Sequence, residues 1–182
     1  MQNIRLENLL LIDIETVSES AEFDSLNKEW QALWQEKVQR TLPEDVSAAE
    51  FYPQRAGVMA EFAKVVCISI GYFKKEGNTQ QLRLKSFYGD DEKILLQDFI
   101  AALHKMDGNS NKWSFTGHNI KEFDIPFICR RLLINGLPIP PFLDGRCFFR
   151  AFPARVANAR TSNLSQKQDR HCSPHRAVDS TI

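Results

Sequence analysis

Two carboxylates, two positions apart, follow a short aliphatic run near the start of the chain. Asp13 and Glu15 come directly after the continuous apolar run 9–12. A run of this kind favours a buried strand, and residues two apart on a strand project from the same face. Carboxylate oxygens are ligands that Mg²⁺ prefers, with substrate phosphate completing the coordination. The spacing therefore indicates a divalent-metal site, and a polar turn after a core strand is the alternative interpretation.

A second cluster, within residues 115–127, contains the other candidate acid. Asn119 follows Gly117 by two positions, and Phe123 and Asp124 lead into Ile125-Pro126. The two clusters together resemble the first two exonuclease motifs of the DEDD superfamily. The resemblance is closest to the proofreading domain of family B DNA polymerases, in which a Gly-x-Asn run precedes Phe-Asp-x-Pro. Stand-alone exonucleases related to that domain are similar from about Leu9 to Leu143, including a second strand over residues 62–73.

The resemblance implies a catalytic site for stepwise removal of nucleotides from a DNA 3′ end. Enzymes of this kind use two Mg²⁺ or Mn²⁺ ions to activate water and stabilise the leaving oxygen. By motif position, Asp13 would bridge both ions and Glu15 would bind the ion that holds the attacking water. Asp124 would hold the second ion through solvent. Single-stranded or frayed DNA 3′ ends are the expected substrate, and RNA is the alternative.

Four residues beside these acids would contact nucleic acid in such a site. The resemblance places Thr16 and the backbone around Ile14 against the terminal nucleotide, and Phe123 near a terminal base. Asn119 would contact the strand or support its own loop, since loop asparagines often bond to their own backbone. Phe123 taken alone is more typical of a core residue. His118 is interpreted as structural.

The pattern of the superfamily breaks at its last acid. Members carry an aspartate on a late helix, preceded at short spacing by tyrosine or histidine, but no tyrosine follows Tyr88 here. Asp179, four positions after His175, is the only approximation, and no apolar helix periodicity surrounds it. Loss of one ligand usually costs orders of magnitude in rate. The alternative function is a catalytically inactive nucleic-acid-binding or partner-docking domain.

Periodicity predicts the elements that position the two clusters. β-branched and aromatic runs with turn residues between them predict an antiparallel hairpin, and 3.6-residue spacing of apolar side chains predicts helices. The first strand is expected to be buried on both faces, and the first helix to follow a cap at Ser18 or Ser20. The predicted strands cover residues 9–12, 64–73, 82–87 and 113–117, and the predicted helices cover residues 21–40, 47–52, 90–105 and 124–134.

The predicted fold is α/β, a ribonuclease-H-like mixed sheet flanked by helices. The first three strands are expected to be antiparallel and the fourth to lie beside the first, with the fourth, and a fifth where present, running parallel. Residues 1–144 form the predicted exonuclease domain, truncated at its C-terminal side. Residues 145–182 form an atypical tail with seven basic and two acidic side chains. The tail is either a genuine basic arm or foreign to the fold, as a shifted reading frame would produce, and the second account is favoured.

Composition places few limits on partners. The formal net charge is zero, so a nucleic-acid site must be local. The four cysteines form no CxxC pair, which favours a reducing cytoplasm. No apolar run approaches the roughly 20 residues that span a bilayer, and no membrane partner is expected. Trp30 and Trp34, one helical turn apart, predict a packed stripe.

Overall fold

A four-stranded mixed sheet forms the centre of the computed structural model, which describes residues 5–107 and 113–144. The order across the sheet is β3-β2-β1-β4. β1 is antiparallel to β2, β2 is antiparallel to β3, and β4 is parallel to β1. This confirms the predicted α/β class, the hairpin and the fourth strand beside the first. The strands are β1 (Leu9–Ser18), β2 (Ala63–Glu76), β3 (Thr79–Tyr88) and β4 (Ser114–Thr116).

Five α-helices accompany the sheet, and two begin at well-formed caps. Asn27 accepts a hydrogen bond from the Trp30 N–H at the start of the first helix, and Ser47 forms a capping box with Glu50 at the start of the second. The predicted cap at Ser18 or Ser20 is wrong because β1 continues to Ser18. The helices are α1 (Lys28–Val38), α2 (Ala48–Arg55), α3 (Glu92–Asp107), α4 (Asp124–Ile134) and α5 (Pro141–Asp144).

The main core lies between one face of the sheet and helices α3 and α4. Alternate residues of β1 point into it and are buried, as strand geometry requires. The intervening residues of β1 are exposed or half-buried, so the prediction of a strand buried on both faces is wrong. That second face also stays open along β3, where Leu84 and Tyr88 are exposed. The buried residues are Leu10, Ile12 and Ile14 of β1, Ile68 and Ile70 of β2, Leu96 and Phe99 of α3, and Phe127 and Ile128 of α4.

An aromatic cluster packs α1 and α2 against the segment before β2. The Trp34 ring lies 5.0 Å from Tyr52 and 5.0 Å from Phe62, both edge to face. Trp30 lies 5.5 Å from Phe62. Trp30 and Trp34 are buried, which confirms the predicted packed stripe. Edge-to-face pairs add to the stability that burial itself provides.

All described residues belong to one compact unit. The predicted tail, residues 145–182, lies outside them, as does Asp179. The described part of the chain has no fifth strand. None of its helices combines the length and apolar character that crossing a membrane requires.

Candidate active site

Strand β1 presents Asp13 and Glu15 on one face. Both side chains are exposed, while Ile14 between them is buried on the opposite face. Glu15 pairs with Cys67, but Thr16 pairs with Val65, so β2 has one extra residue at this point. Such a bulge changes the direction of the strand and is frequent beside active sites. The two-residue spacing therefore places the acids on a common face, as predicted.

Asp124 reaches the same stretch of β1 from the first residue of α4. The Ile14 N–H donates a hydrogen bond of 3.2 Å to Oδ1 of Asp124, across 110 positions of sequence. β4 ends at Thr116, opposite Leu11, so no described strand pairs with β1 on that side beyond this point. Asp124 thus satisfies a backbone donor that the short strand leaves free. Its carboxyl lies against the residue between Asp13 and Glu15.

Burial dominates the electrostatics of Asp124. The side chain is buried, and this burial raises the pKa of Asp124 above its usual value. Hydrogen bonds from its own N–H and from Ile14 lower the pKa, the negative charge of Asp13 raises it, and the charge of His118 lowers it. Burial outweighs the hydrogen bonds. A cation placed between Asp13 and Asp124 would relieve both the burial cost and their repulsion.

The three carboxylates are not gathered into a ready ion cage. Within residues 5–107 and 113–144, no group of three His, Cys, Asp or Glu side chains is arranged to hold a metal ion. Asp13 and Glu15 also form no ion pair with a described residue, so neither side chain is held in place by an opposite charge. The structure brings Asp124 to the backbone of β1 and leaves the other two acids extended toward solvent.

Asn119 shapes the loop that leads into α4. Its φ of 53° lies in the left-handed region, which asparagine tolerates better than most residues. Its carbonyl oxygen accepts hydrogen bonds from the N–H groups of Glu122 and Phe123. These are bonds of the Asn119 backbone, so both predicted roles of its side chain stay predictions. A Cβ on Gly117 would lie 2.4 Å from the Ile12 carbonyl oxygen, so only glycine allows this close approach to β1.

The remaining predicted contact residues are partly engaged within the protein. The Thr16 hydroxyl donates a hydrogen bond of 2.7 Å to the Gly57 carbonyl. Phe123 is half-buried, and its ring lies 5.3 Å from that of Phe127. The Ile14 side chain is in the core, so only its backbone faces the site. Each of these residues adjoins one of the acids in the sequence, and Thr16 and Phe123 are only partly buried, so part of each side chain remains accessible.

A buried ionic network fixes the helix that carries Asp124, and sequence reasoning missed it. Arg131 of α4 pairs through two nitrogens with the carboxylate of Glu92 at the start of α3. Arg131 also donates to the Ala60 carbonyl at 3.0 Å, and Glu92 accepts from the Val65 N–H at 2.7 Å. Asn135 donates to Glu92 at 2.8 Å. The available signal was an arginine pair inside the otherwise apolar helical run 125–134.

Comparison with known proteins identified no relative of this chain. No protein-family model, curated protein or solved structure matches the chain.

Proposed function

We propose that this chain is a metal-dependent 3′–5′ exonuclease that hydrolyses the terminal phosphodiester bond of single-stranded or frayed DNA. The observation that carries the proposal is the hydrogen bond from the Ile14 N–H to Asp124. It brings the acid of the second cluster against the backbone midway between Asp13 and Glu15. If the first cluster were only a polar turn and the second only the start of a helix, nothing would require the two to be in contact at Ile14.

The donor set fits Mg²⁺ or Mn²⁺. All three candidate ligands are carboxylates, and hard oxygen ligands suit these ions better than zinc. Asp124 is the anchored ligand because the Ile14 N–H holds it, whereas Asp13 and Glu15 are exposed and can rotate toward it. Ions bound here would supply an activated water and stabilise the departing 3′ oxygen.

The residues of the chain itself would orient the substrate end. Thr16, whose hydroxyl is held by Gly57, directly follows Glu15 in the chain, and Phe123 directly precedes Asp124. Phe123 would contact a terminal base through its ring, an interaction that tolerates any base. Cys67, in the described part of the chain, has a free thiol and supports a reducing, cytoplasmic setting.

Cleavage of an oligonucleotide labelled at either end tests the proposal. With a 5′ label, Mn²⁺ should produce a ladder that shortens one nucleotide at a time. With a 3′ label, the first product should be a mononucleotide. Asp13→Asn and Asp124→Asn should abolish both patterns, while Asp45→Asn, which changes an exposed aspartate away from the site, should preserve them. Equal cleavage by the wild-type chain and by Asp13→Asn would refute the assignment. Parallel DNA and RNA substrates identify the preferred sugar.

One observation favours an inactive binding module as the second candidate. The described carboxylates are not gathered for metal binding, and the described residues supply no fourth acid beside Asp13 and Glu15. A chain of this kind would bind a DNA end beside the acids without cutting it. Binding of a labelled oligonucleotide that persists while no cleavage occurs across a Mn²⁺ titration would establish this candidate over the enzyme.

A further inference from the structure

An open groove lies at the end of the sheet away from the acids. Its volume is about 750 Å³, and it is formed by the end of β2, the entry to β1 and Trp113 just before β4. Ser69 of β2 pairs with Asp13, and Lys75 follows six positions later. At roughly 3.3 Å per residue, the far end of the groove is roughly 20 Å from the acids. The groove is therefore separate from the candidate active site.

Three cationic side chains and one acidic side chain line this groove. Lys74, Lys75 and Arg5 are exposed there, and Glu7 is the acid. Lys75 and Arg5 form no ion pair within the part of the chain that the structure describes, and Lys74 has only a 3.9 Å contact with Glu76. Their charges face solvent in a protein whose net charge is zero. Such a local cationic surface attracts a polyanion.

Aromatic rings form the other part of the groove. Tyr72 and Trp113 lie edge to face with ring centres 6.4 Å apart, and both are half-buried. The Trp113 indole N–H donates to the Met106 carbonyl at 3.3 Å, which fixes the orientation of the ring. Phe73 adds a third half-buried ring. Fixed aromatic rings beside exposed cations are the combination that binds single-stranded nucleic acid, through base stacking and phosphate contacts.

We infer that this groove is a second binding site, for the single-stranded segment of the nucleic acid upstream of the 3′ end. The inference rests on the proposed function for its choice of ligand. Lys74, Lys75 and Arg5 contact phosphates, while the exposed edges of Tyr72, Phe73 and Trp113 contact bases. A stacked strand rises about 3.4 Å per nucleotide, so the 20 Å separation corresponds to about six nucleotides. The substrate is therefore single-stranded over at least that length.

Binding of labelled oligothymidylate of 12 nucleotides in EDTA tests the groove without any cleavage. Lys74→Glu/Lys75→Glu should weaken binding at least tenfold and reduce the slope of log affinity against log salt by about 1.4, at about 0.7 per phosphate contact. Lys28→Glu/Lys93→Glu is the matched control, since it makes the same charge change at exposed lysines outside the groove. It should stay within about twofold of the wild-type chain. Equal weakening by both double variants would overturn the inference.

Tryptophan fluorescence gives a second readout. Trp30 and Trp34 are buried, so Trp113 is the tryptophan that a ligand in the groove can quench. Oligothymidylate should quench the emission of the wild-type chain but not that of Trp113→Phe. Persistent quenching in that variant, or equally effective competition by polyglutamate of matched charge, would overturn the inference. Neither readout requires a metal ion. If the oligonucleotide binds tightly in these assays but is not cleaved in the exonuclease assay, the enzymatic activity is refuted and the second binding site is not.

Discussion

Removal of the Arg131 side chain is expected to be the most costly single change in the described part of the chain. The Arg131 side chain is 1% exposed and its partner carboxylate on Glu92 is 7% exposed. Arg131→Met leaves this carboxylate buried without its cation, a change that typically costs 3–5 kcal/mol. Val65 and Asn135 still donate to Glu92, which places the expected cost at about 3 kcal/mol.

Urea unfolding followed by far-UV circular dichroism measures this cost. The matched control is Arg83→Met, which removes the exposed pair with Glu76, where the side chains are 44% and 40% exposed. Exposed pairs contribute about 0–1 kcal/mol, so the control should remain near the wild-type chain. The double variant Arg131→Met/Glu92→Gln should be less destabilised than Arg131→Met, since no buried charge remains. A cost for Arg131→Met no greater than that for Arg83→Met would refute this reasoning. If Arg131→Met does not fold, Arg131→Lys, which keeps a cation but loses the two-nitrogen pairing with Glu92, should still cost more than Arg83→Met.

Three further predictions concern the candidate site. Because burial raises the pKa of Asp124, the folded chain binds the proton of this carboxyl more tightly, and the contribution of Asp124 to the free energy of unfolding falls as pH rises above its usual pKa of 3.8. By calorimetry, Asp124→Asn should therefore raise the melting temperature at neutral pH, with a gain that shrinks in acid; a decrease at neutral pH would contradict this. Millimolar Mn²⁺ should raise the melting temperature of the wild-type chain but not that of Asp13→Asn, and equal shifts would exclude Asp13 as a ligand. Gly117→Ala places a methyl group 2.4 Å from the Ile12 carbonyl oxygen and should cost about 1–3 kcal/mol in urea unfolding. A cost below about 0.5 kcal/mol would show that the loop moves away freely.

The elements that the sequence predicted well are those with strong local signals. The aliphatic run of β1, the hairpin of β2 and β3, and the apolar faces of α3 and α4 each depend on neighbours within a few residues. Ser47 and Glu50 likewise form the capping box that their spacing allows. The position of β4 beside β1 is a long-range pairing, and it was predicted only through the family resemblance.

The errors came from features that depend on the whole fold. The start of α1 was placed too early because the run 18–27 offers several residues that can cap a helix, and the one that caps α1 is Asn27. The burial of β1 on both faces was inferred from an apolar run that cannot show what covers each face. Leu9 and Leu11 are only half-buried on the face that carries the acids.

The candidate site, like the fold, was predictable where local sequence patterns determine the geometry and not where long-range contacts do. The two-residue period of a strand fixes the common face of Asp13 and Glu15, and this needs no tertiary information. The approach of Asp124 depends on where β4 ends, on the close contact at Gly117 and on the Arg131 network. The end of β4 and the close contact at Gly117 are not visible as local patterns, and the Arg131 network left only the arginine pair in the run 125–134 as a signal.

In the proposed site, one candidate ligand is anchored and the other two are exposed, and this division affects how a metal ion would bind. Asp124 is held by Ile14 and by a helix that Arg131 fastens to α3, whereas Asp13 and Glu15 are exposed. Gathering two exposed side chains costs conformational entropy, which subtracts from the metal affinity. A fourth acidic side chain would increase the attraction for the metal ion, but it would avoid this entropy cost only if it were anchored as Asp124 is. Weak metal affinity, with activity that rises steeply over millimolar Mn²⁺, is therefore the behaviour expected of these described residues.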